Sequence, residues 1–295
     1  MLYLLLCILS STGIFIVFKA LDRRDIPVFP VILINYLLAT LLGFFLHGSI
    51  PAPATLLQQD WLVLSILIGV LFILMFFLVG MSTRRAGISV TTVASKMSVV
   101  FPIVFSMLID SSDSLNLLKA TAILAALTGV GLTVYRKASP DSGKRISAIV
   151  LPLVLFVGMG VVDSLVKLAQ HRHVGDSDAS LFSAILFLNA LLSGLLFLIL
   201  RSRDLPNFTR LRVWAWGLLL GTVNFGSIFF MVRALNYQGS SGPGLDSSLI
   251  FGVNNTGIVV LSVMAGLLLF REKPSPLNWM GIGISLLSFL LFSLG

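Results

Sequence analysis

Charge is what this chain has least of. Only 11% of its 295 residues are Asp, Glu, Lys or Arg, where a water-soluble domain carries about a quarter. That leaves too few polar side chains to coat a globule of this size in water, and a soluble fold is excluded. Cysteine occurs once, as Cys7, which excludes an internal disulfide. Histidine occurs three times, at the ends of apolar stretches. His171 and His173, with Asp176 and Asp178, read as a solvated connection rather than a metal site. No Gly-rich loop with a phosphate-binding lysine is present, so ATP hydrolysis is not expected. No catalytic constellation stands out, and no paired aspartates of the kind that hold Mg²⁺ share a helix. The expectation is a chain with no catalytic residue, no metal and no cofactor.

What is present is hydrophobicity, at 57% of residues and a mean hydropathy of +1.03. Apolar spans fall at roughly 2–20, 29–47, 61–82, 88–109, 115–135, 147–169, 180–200, 213–235, 246–270 and 277–294, each about 17–25 residues, enough to cross a hydrocarbon core of about 30 Å as a helix. The runs are continuous rather than alternating, which excludes a membrane β-barrel. The fold class expected is an all-α membrane protein with ten transmembrane helices. The segment from Met1 to Cys7 reads as part of a retained first helix, because it lacks a basic leading region and Leu6 is not a small residue. Trp61, Trp214, Trp216 and Trp279 fall near predicted span ends, where an aromatic belt would place them.

The net charge of +8 reads as membrane-flanking lysine and arginine, and no nucleic-acid partner is expected. Most of these residues follow odd-numbered spans. Lys19, Arg23 and Arg24 follow the first, and Arg84 and Arg85 the third. Arg136, Lys137, Lys144 and Arg145 follow the fifth; Arg201, Arg203, Arg210 and Arg212 the seventh; Arg271 and Lys273 the ninth. Lys119, Lys167, Arg172 and Arg233 fall on the other side. The positive-inside rule then places the odd connections in the cytoplasm and both termini outside.

Five spans look like a second pass through the other five. Gly69, Gly87 and Ser89 align with Gly221, Gly239 and Ser241 at one constant offset, and Lys19 aligns with Lys167 at a nearby one. Five is odd, so the second half enters the membrane upside down. The expected domains are a first five-helix repeat over 1–137, a linker over 138–146 and a second repeat over 147–295. Two inverted repeats can rock about a midplane site and open it to each side in turn, as secondary transporters do.

Certain segments carry a family likeness. Ala234-Leu235-Asn236-Tyr237-Gln238-Gly239-Ser240-Ser241 ends the eighth span in an Ala-Leu pair and a Gly/Ser-rich lead-in. Phe101-Pro102-Ile103 puts a proline in the fourth span. Phe270-Arg271-Glu272-Lys273-Pro274, followed by Trp279-Met280-Gly281-Ile282-Gly283, forms an acidic turn before a glycine-bearing last span. In these features the whole chain resembles the drug/metabolite transporter superfamily, in particular its EamA-like group. Asp110 and Asp113 stand where the first half of that group has a glutamate, and Asn254-Asn255-Thr256-Gly257 where the ninth span has a proline. The resemblance implies a multi-pass protein of a bacterial inner (plasma) membrane, carrying small organic solutes and often exporting metabolites or amino acids.

The candidate site rests on polar residues inside the spans, since an ionisable group there costs about 2.5–3.5 kcal/mol on insertion scales. Lys96 lies about eight residues into the fourth span and reads as a cation for a substrate carboxylate or phosphate, or as half of a structural ion pair. Asp163 lies deep in the sixth. Lys167 is one turn on, so an Asp163–Lys167 pair on one face competes with a pairing of Asp163 to Lys96 or to substrate. A carboxylate in low dielectric is also suited to take up a proton, which makes Asp163 the proton-coupling candidate. Asn35 and Tyr36 in the second span, Asn224 in the eighth and Asn255 in the ninth complete the substrate-binding candidates; Asn189 reads as helix-to-helix glue. Pro102, the Gly158/Gly160 pair and the Gly252/Gly257 pair are expected to break or loosen their spans near the midplane. The expected partners are the bilayer and a small solute, anionic or zwitterionic, with monomer and homodimer both open. A channel or scaffold, and a membrane-embedded enzyme, stand as rival readings.

Overall fold

The computed structural model describes residues 2–48, 51–109, 115–135, 142–172, 179–200, 202–235 and 247–294. Among these residues the chain is helical throughout, with α1 (Leu2–Arg23), α2 (Val28–His47), α3 (Pro53–Leu57), α4 (Leu62–Arg85), α5 (Ile88–Met97), α6 (Val100–Ile109), α7 (Leu117–Val134), α8 (Ser142–Arg172), α9 (Ala179–Leu200), α10 (Leu211–Leu235), α11 (Ser247–Leu268) and α12 (Pro276–Leu294). A 3-10 helix covers Ser202–Thr209. Nine segments among the described residues are long and apolar enough to cross a membrane, and Pro276–Phe292 is a shorter apolar helix. Large apolar side chains such as Phe45, Val63, Leu124 and Ile199 face outward, as lipid-facing residues do. The chain is a multi-pass integral membrane protein.

The helices pack mostly across the midpoint of the sequence. α1 lies against α10 and α11, α2 against α9 and α10, α4 against α8 and α9, α5 against α8 and α11, and α7 against α12. In lipid the close approach of backbones replaces the hydrophobic drive, so small residues gather at such seams. The α7–α12 seam is of this kind. A Cβ on Gly129 would come within 2.9 Å of the Ser285 backbone N, and one on Gly281 within 2.8 Å of the Gly129 O. Ser288 Oγ donates to Ala122 O at 2.8 Å, and Asn278 Nδ2 to Thr133 O at 2.7 Å. Pro276 occupies the first position of α12, and Ser275 Oγ accepts from Asn278 N at 3.2 Å while Asn278 Oδ1 accepts from Ser275 N at 3.0 Å. The two residues cap the helix reciprocally.

Several boundaries differ from the sequence expectation. The fourth span is two helices, broken at Ser98–Val99. Proline lacks an N–H, and its ring crowds the carbonyl four residues back; for Pro102 that carbonyl belongs to Ser98, which accepts instead from Phe101 N at 2.9 Å. The break therefore lies a turn ahead of the proline. α8 starts at Ser142, inside the expected linker, and runs unbroken through Gly158 and Gly160. Those glycines make room for Met75 and Phe101 rather than loosening the helix. α11 is likewise continuous through Gly252 and Gly257. Trp61 is no belt residue: it is fully buried, edge-on to Phe182 at 5.4 Å. Trp279 is half out of the protein, as a belt residue would be.

The α7–α12 seam gives a stability test. Gly281→Val is expected to overpack it by about 1–3 kcal/mol and to lower the melting temperature in detergent by several degrees. A melting temperature equal to wild type contradicts the seam.

Candidate functional site

The break in the fourth span sets the site. α5 packs against α1, α4, α7, α8, α11 and α12. Every residue of α5 is buried except Lys96, which is half-buried. On a helix walled in by six others, the free surface of Lys96 faces the interior of the bundle rather than lipid. Lys96 lies in the last turn of α5, where the negative end of the helix dipole favours a cation. Asp163 on α8 and the thiol of Cys7 on α1 lie within electrostatic reach of it.

Asp163 reaches the break itself. Ser98 Oγ donates to Asp163 Oδ2 at 3.1 Å and to Ser95 O at 2.6 Å. A serine hydroxyl holds one proton. With Asp163 ionised, that proton is shared between the two acceptors. With Asp163 protonated, the acid donates to Ser98 Oγ and Ser98 donates to Ser95 O, so both contacts become full hydrogen bonds. The arrangement accommodates either protonation state. One and two turns back along α8, Gly160 and Phe156 face Phe101 of α6, which brings α8 close to the break. On α1, Cys7 is buried and donates to Ser227 O at 3.1 Å.

The structure brings Lys96 and Asp163 into one region and places the other candidates elsewhere. Lys167 is exposed and forms no ion pair with Asp163 among the described residues. Asn224 Nδ2 donates to Asn35 Oδ1 at 3.1 Å, with both side chains buried between α10 and α2. Tyr36 is fully buried, its ring 5.4 Å from Phe76 and 6.2 Å from Phe187. Asn35, Tyr36 and Asn224 thus form a wall of their own. Asn255 lies one turn from Val259, which packs with the α5 residues Val93 and Met97, so of the four neutral candidates it alone is on the α5 side. Asn189 Nδ2 donates to Ser65 Oγ at 2.9 Å, tying α9 to α4. Lys19 pairs with Asp22 at 3.6 Å and donates to Thr83 O at 3.0 Å near the end of α1. Asp110, Asp113, His173, Asp176, Asp178 and the 236–241 lead-in lie outside the described residues.

Sequence reasoning missed Ser98 and Cys7. A serine four residues before an in-span proline was the available signal for the first. Nothing in the sequence pairs Cys7 with Lys96.

No protein-family model matches the chain. An uncharacterized protein of Haemophilus influenzae is 25% identical over 287 residues, covering 96% of this chain and 94% of its own. A protein known from a crystal structure aligns over 98% of this chain and 97% of its own, with a TM-score of 0.55 and 16% identity. That likeness concerns the fold.

The Asn35–Asn224 bond predicts coupling without a role in the site. In a double-mutant cycle of Asn35→Leu and Asn224→Leu, unfolding in mixed micelles is expected to give a coupling of about 0.6–1.7 kcal/mol. Purely additive losses contradict the bond.

Proposed function

We propose that the chain is a secondary transporter of small organic solutes, working by alternating access between two inverted five-helix repeats. The observation that carries this reading is Lys96, Ser98 and Asp163 gathered at a helix break deep in the bundle. An ion and its counter-charge in such a place are expensive in lipid and mark solute and proton pathways. Broken helices of this kind offer backbone and side-chain groups to a substrate in carriers.

The packing supports the repeat. Exchanging each helix of one half for its counterpart in the other turns the α1–α10 contact into α8–α4, and α2–α10 into α9–α4; both members of each pair are present. Single residues follow the same exchange. Gly69 on α4 backs onto Asn189 of α9, and Gly221 on α10 backs onto Leu38 and the Asn35 carbonyl of α2. Each of those asparagines also bonds the helix that carries its glycine: Asn189 to Ser65, and Asn35 to Asn224. The breaks are not symmetric, however, since α11 is continuous. The solute site therefore leans toward the first half.

In this reading Lys96 binds an anionic group of the solute, and Asp163 is the proton-coupling carboxylate, with Ser98 adjusting to its protonation state. The odd connections face the cytoplasm. The EamA-like resemblance adds export as the direction and a bacterial inner membrane as the place.

Reconstituted protein tests both roles. A carrier gives saturable counterflow of labelled solute, which a channel does not, and an enzyme converts the solute. Lys96→Ala is expected to lower counterflow of an anionic substrate at least about tenfold, the size of one lost charge-assisted contact, with expression unchanged. Full counterflow in that variant removes Lys96 from the site. Asp163→Asn is expected to abolish accumulation driven by a pH gradient while keeping exchange. Accumulation that persists assigns the coupling elsewhere.

A further inference from the structure

α5 begins without a cap of its own. The residue before it is Gly87, with φ 96° and ψ 164° and no side chain to accept from the first N–H groups, groups that a helix leaves unpaired. The acceptor comes instead from the other half of the sequence. Glu272, in the turn between α11 and α12, accepts from Ile88 N at 2.7 Å, from Ser89 N at 3.3 Å and from Ser89 Oγ at 3.0 Å. A carboxylate is the group this end of a helix favours.

The seat is shaped for it. A Cβ on Gly87 would lie 2.8 Å from Glu272 Oε1, and one on Gly266 2.8 Å from Oε2. Arg271, a non-glycine residue at φ 54°, turns the chain back so that Glu272 N donates to Gly266 O at 2.8 Å; left-handed backbone of this kind is unfavourable outside glycine. The same turn is held from its other side. Arg23, at the end of α1, donates to Leu269 O at 3.1 Å and to Phe270 O, and lies over the Phe270 ring at 4.9 Å. Asp22 bridges Lys19 to Arg84, the latter at 3.0 Å. All these contacts lie where the first, third and ninth spans end.

We infer that Glu272 is a releasable latch, which joins the two halves and holds this end of the bundle closed over the Lys96 site. The inference rests on the alternating-access reading above. Three features separate the latch from static packing. Glu272 is half-buried at the edge of the protein, so on release water replaces its partners, whereas the Asn35–Asn224 pair is sealed inside. α5 has 10 residues and joins α6 through the Ser98–Val99 turn, which is the joint about which it would tilt. Lys96 is on that same short helix, about 12 Å along it from the latch, so movement of the capped end displaces the cation directly.

The single cysteine supplies the probe. Cys7 is 1% exposed and feels the charge of Lys96, and no other thiol competes. Full-length protein in right-side-out and inside-out vesicles is treated with a membrane-impermeant thiosulfonate, and modification of Cys7 is timed. Glu272→Ala, which removes all three hydrogen bonds at the start of α5, is expected to speed modification at least about tenfold from the face where the latch lies, and to leave the other face unchanged. Gly87→Ala, which crowds Oε1 without touching the carboxylate chemically, is expected to give the same one-sided rise; it stands in if the first variant does not fold. Rates equal to wild type, or a rise of the same size from both faces, overturn the latch. Counterflow is scored separately. Solute exchange with no one-sided rise removes the latch and keeps the transporter, whereas a one-sided rise with no counterflow does the reverse.

Discussion

Pro102 cannot donate to the Ser98 carbonyl, and most of the interior follows from that missing hydrogen bond. Had the fourth span been continuous, Lys96 would occupy the middle of a rigid helix and Ser98 would be one more residue of its wall. Broken at Ser98–Val99, the span yields a short half-helix whose C-terminal end faces the bundle interior. That end favours a cation, and Lys96 is there; the hydroxyl of Ser98, at the break, reaches both Ser95 O and Asp163. The opposite end of the half-helix needs an acceptor for its N–H groups, and Glu272 supplies it from the far half of the chain. The half-helix thus has two electrostatic demands, one deep at the proline-induced break and one at the edge where it starts after Gly87, and a different carboxylate lies at each.

The rest of the bundle serves to hold those demands in place without spending polar groups on lipid. Its seams are made by glycine and serine against backbone, as between α7 and α12, and by single amide bonds, as between Asn35 and Asn224. Such bonds contribute only about 0.6 kcal/mol on average in a membrane. The outer helices therefore form a close-packed frame around the α5 and α8 residues Lys96 and Asp163.

The helices themselves were legible in the sequence because span length and hydropathy are local properties, set by the thickness of a bilayer. The same holds for the concentration of Lys and Arg after odd spans. The site was legible in part. Lys96 and Asp163 stood out because each is costly in lipid whatever its partners are. What the sequence hid was pairing. Asn224 and Asn35 have the same local signature as a cavity amide, and only their distance in the fold makes them partners. Trp61 is at a span end like a belt residue, yet the α9 residue Phe182 covers it. Lys167 shares a face with Asp163 by spacing, but at the end of α8 solvent is a better partner than a buried acid. Glu272 could be recognised as an acidic turn, whereas the helix end it caps lies 184 positions earlier in the chain, beyond any local pattern.

The two carboxylates also differ in what their surroundings permit. Glu272 meets only donors: two backbone N–H groups and a serine hydroxyl that can point at it. Asp163 shares the single proton of the Ser98 hydroxyl, 3.1 Å away, with Ser95 O at 2.6 Å. Under the transporter proposal, solute binding at Lys96 and proton uptake at Asp163 would be linked through this one region, with Ser98 turning its proton between the same two acceptors.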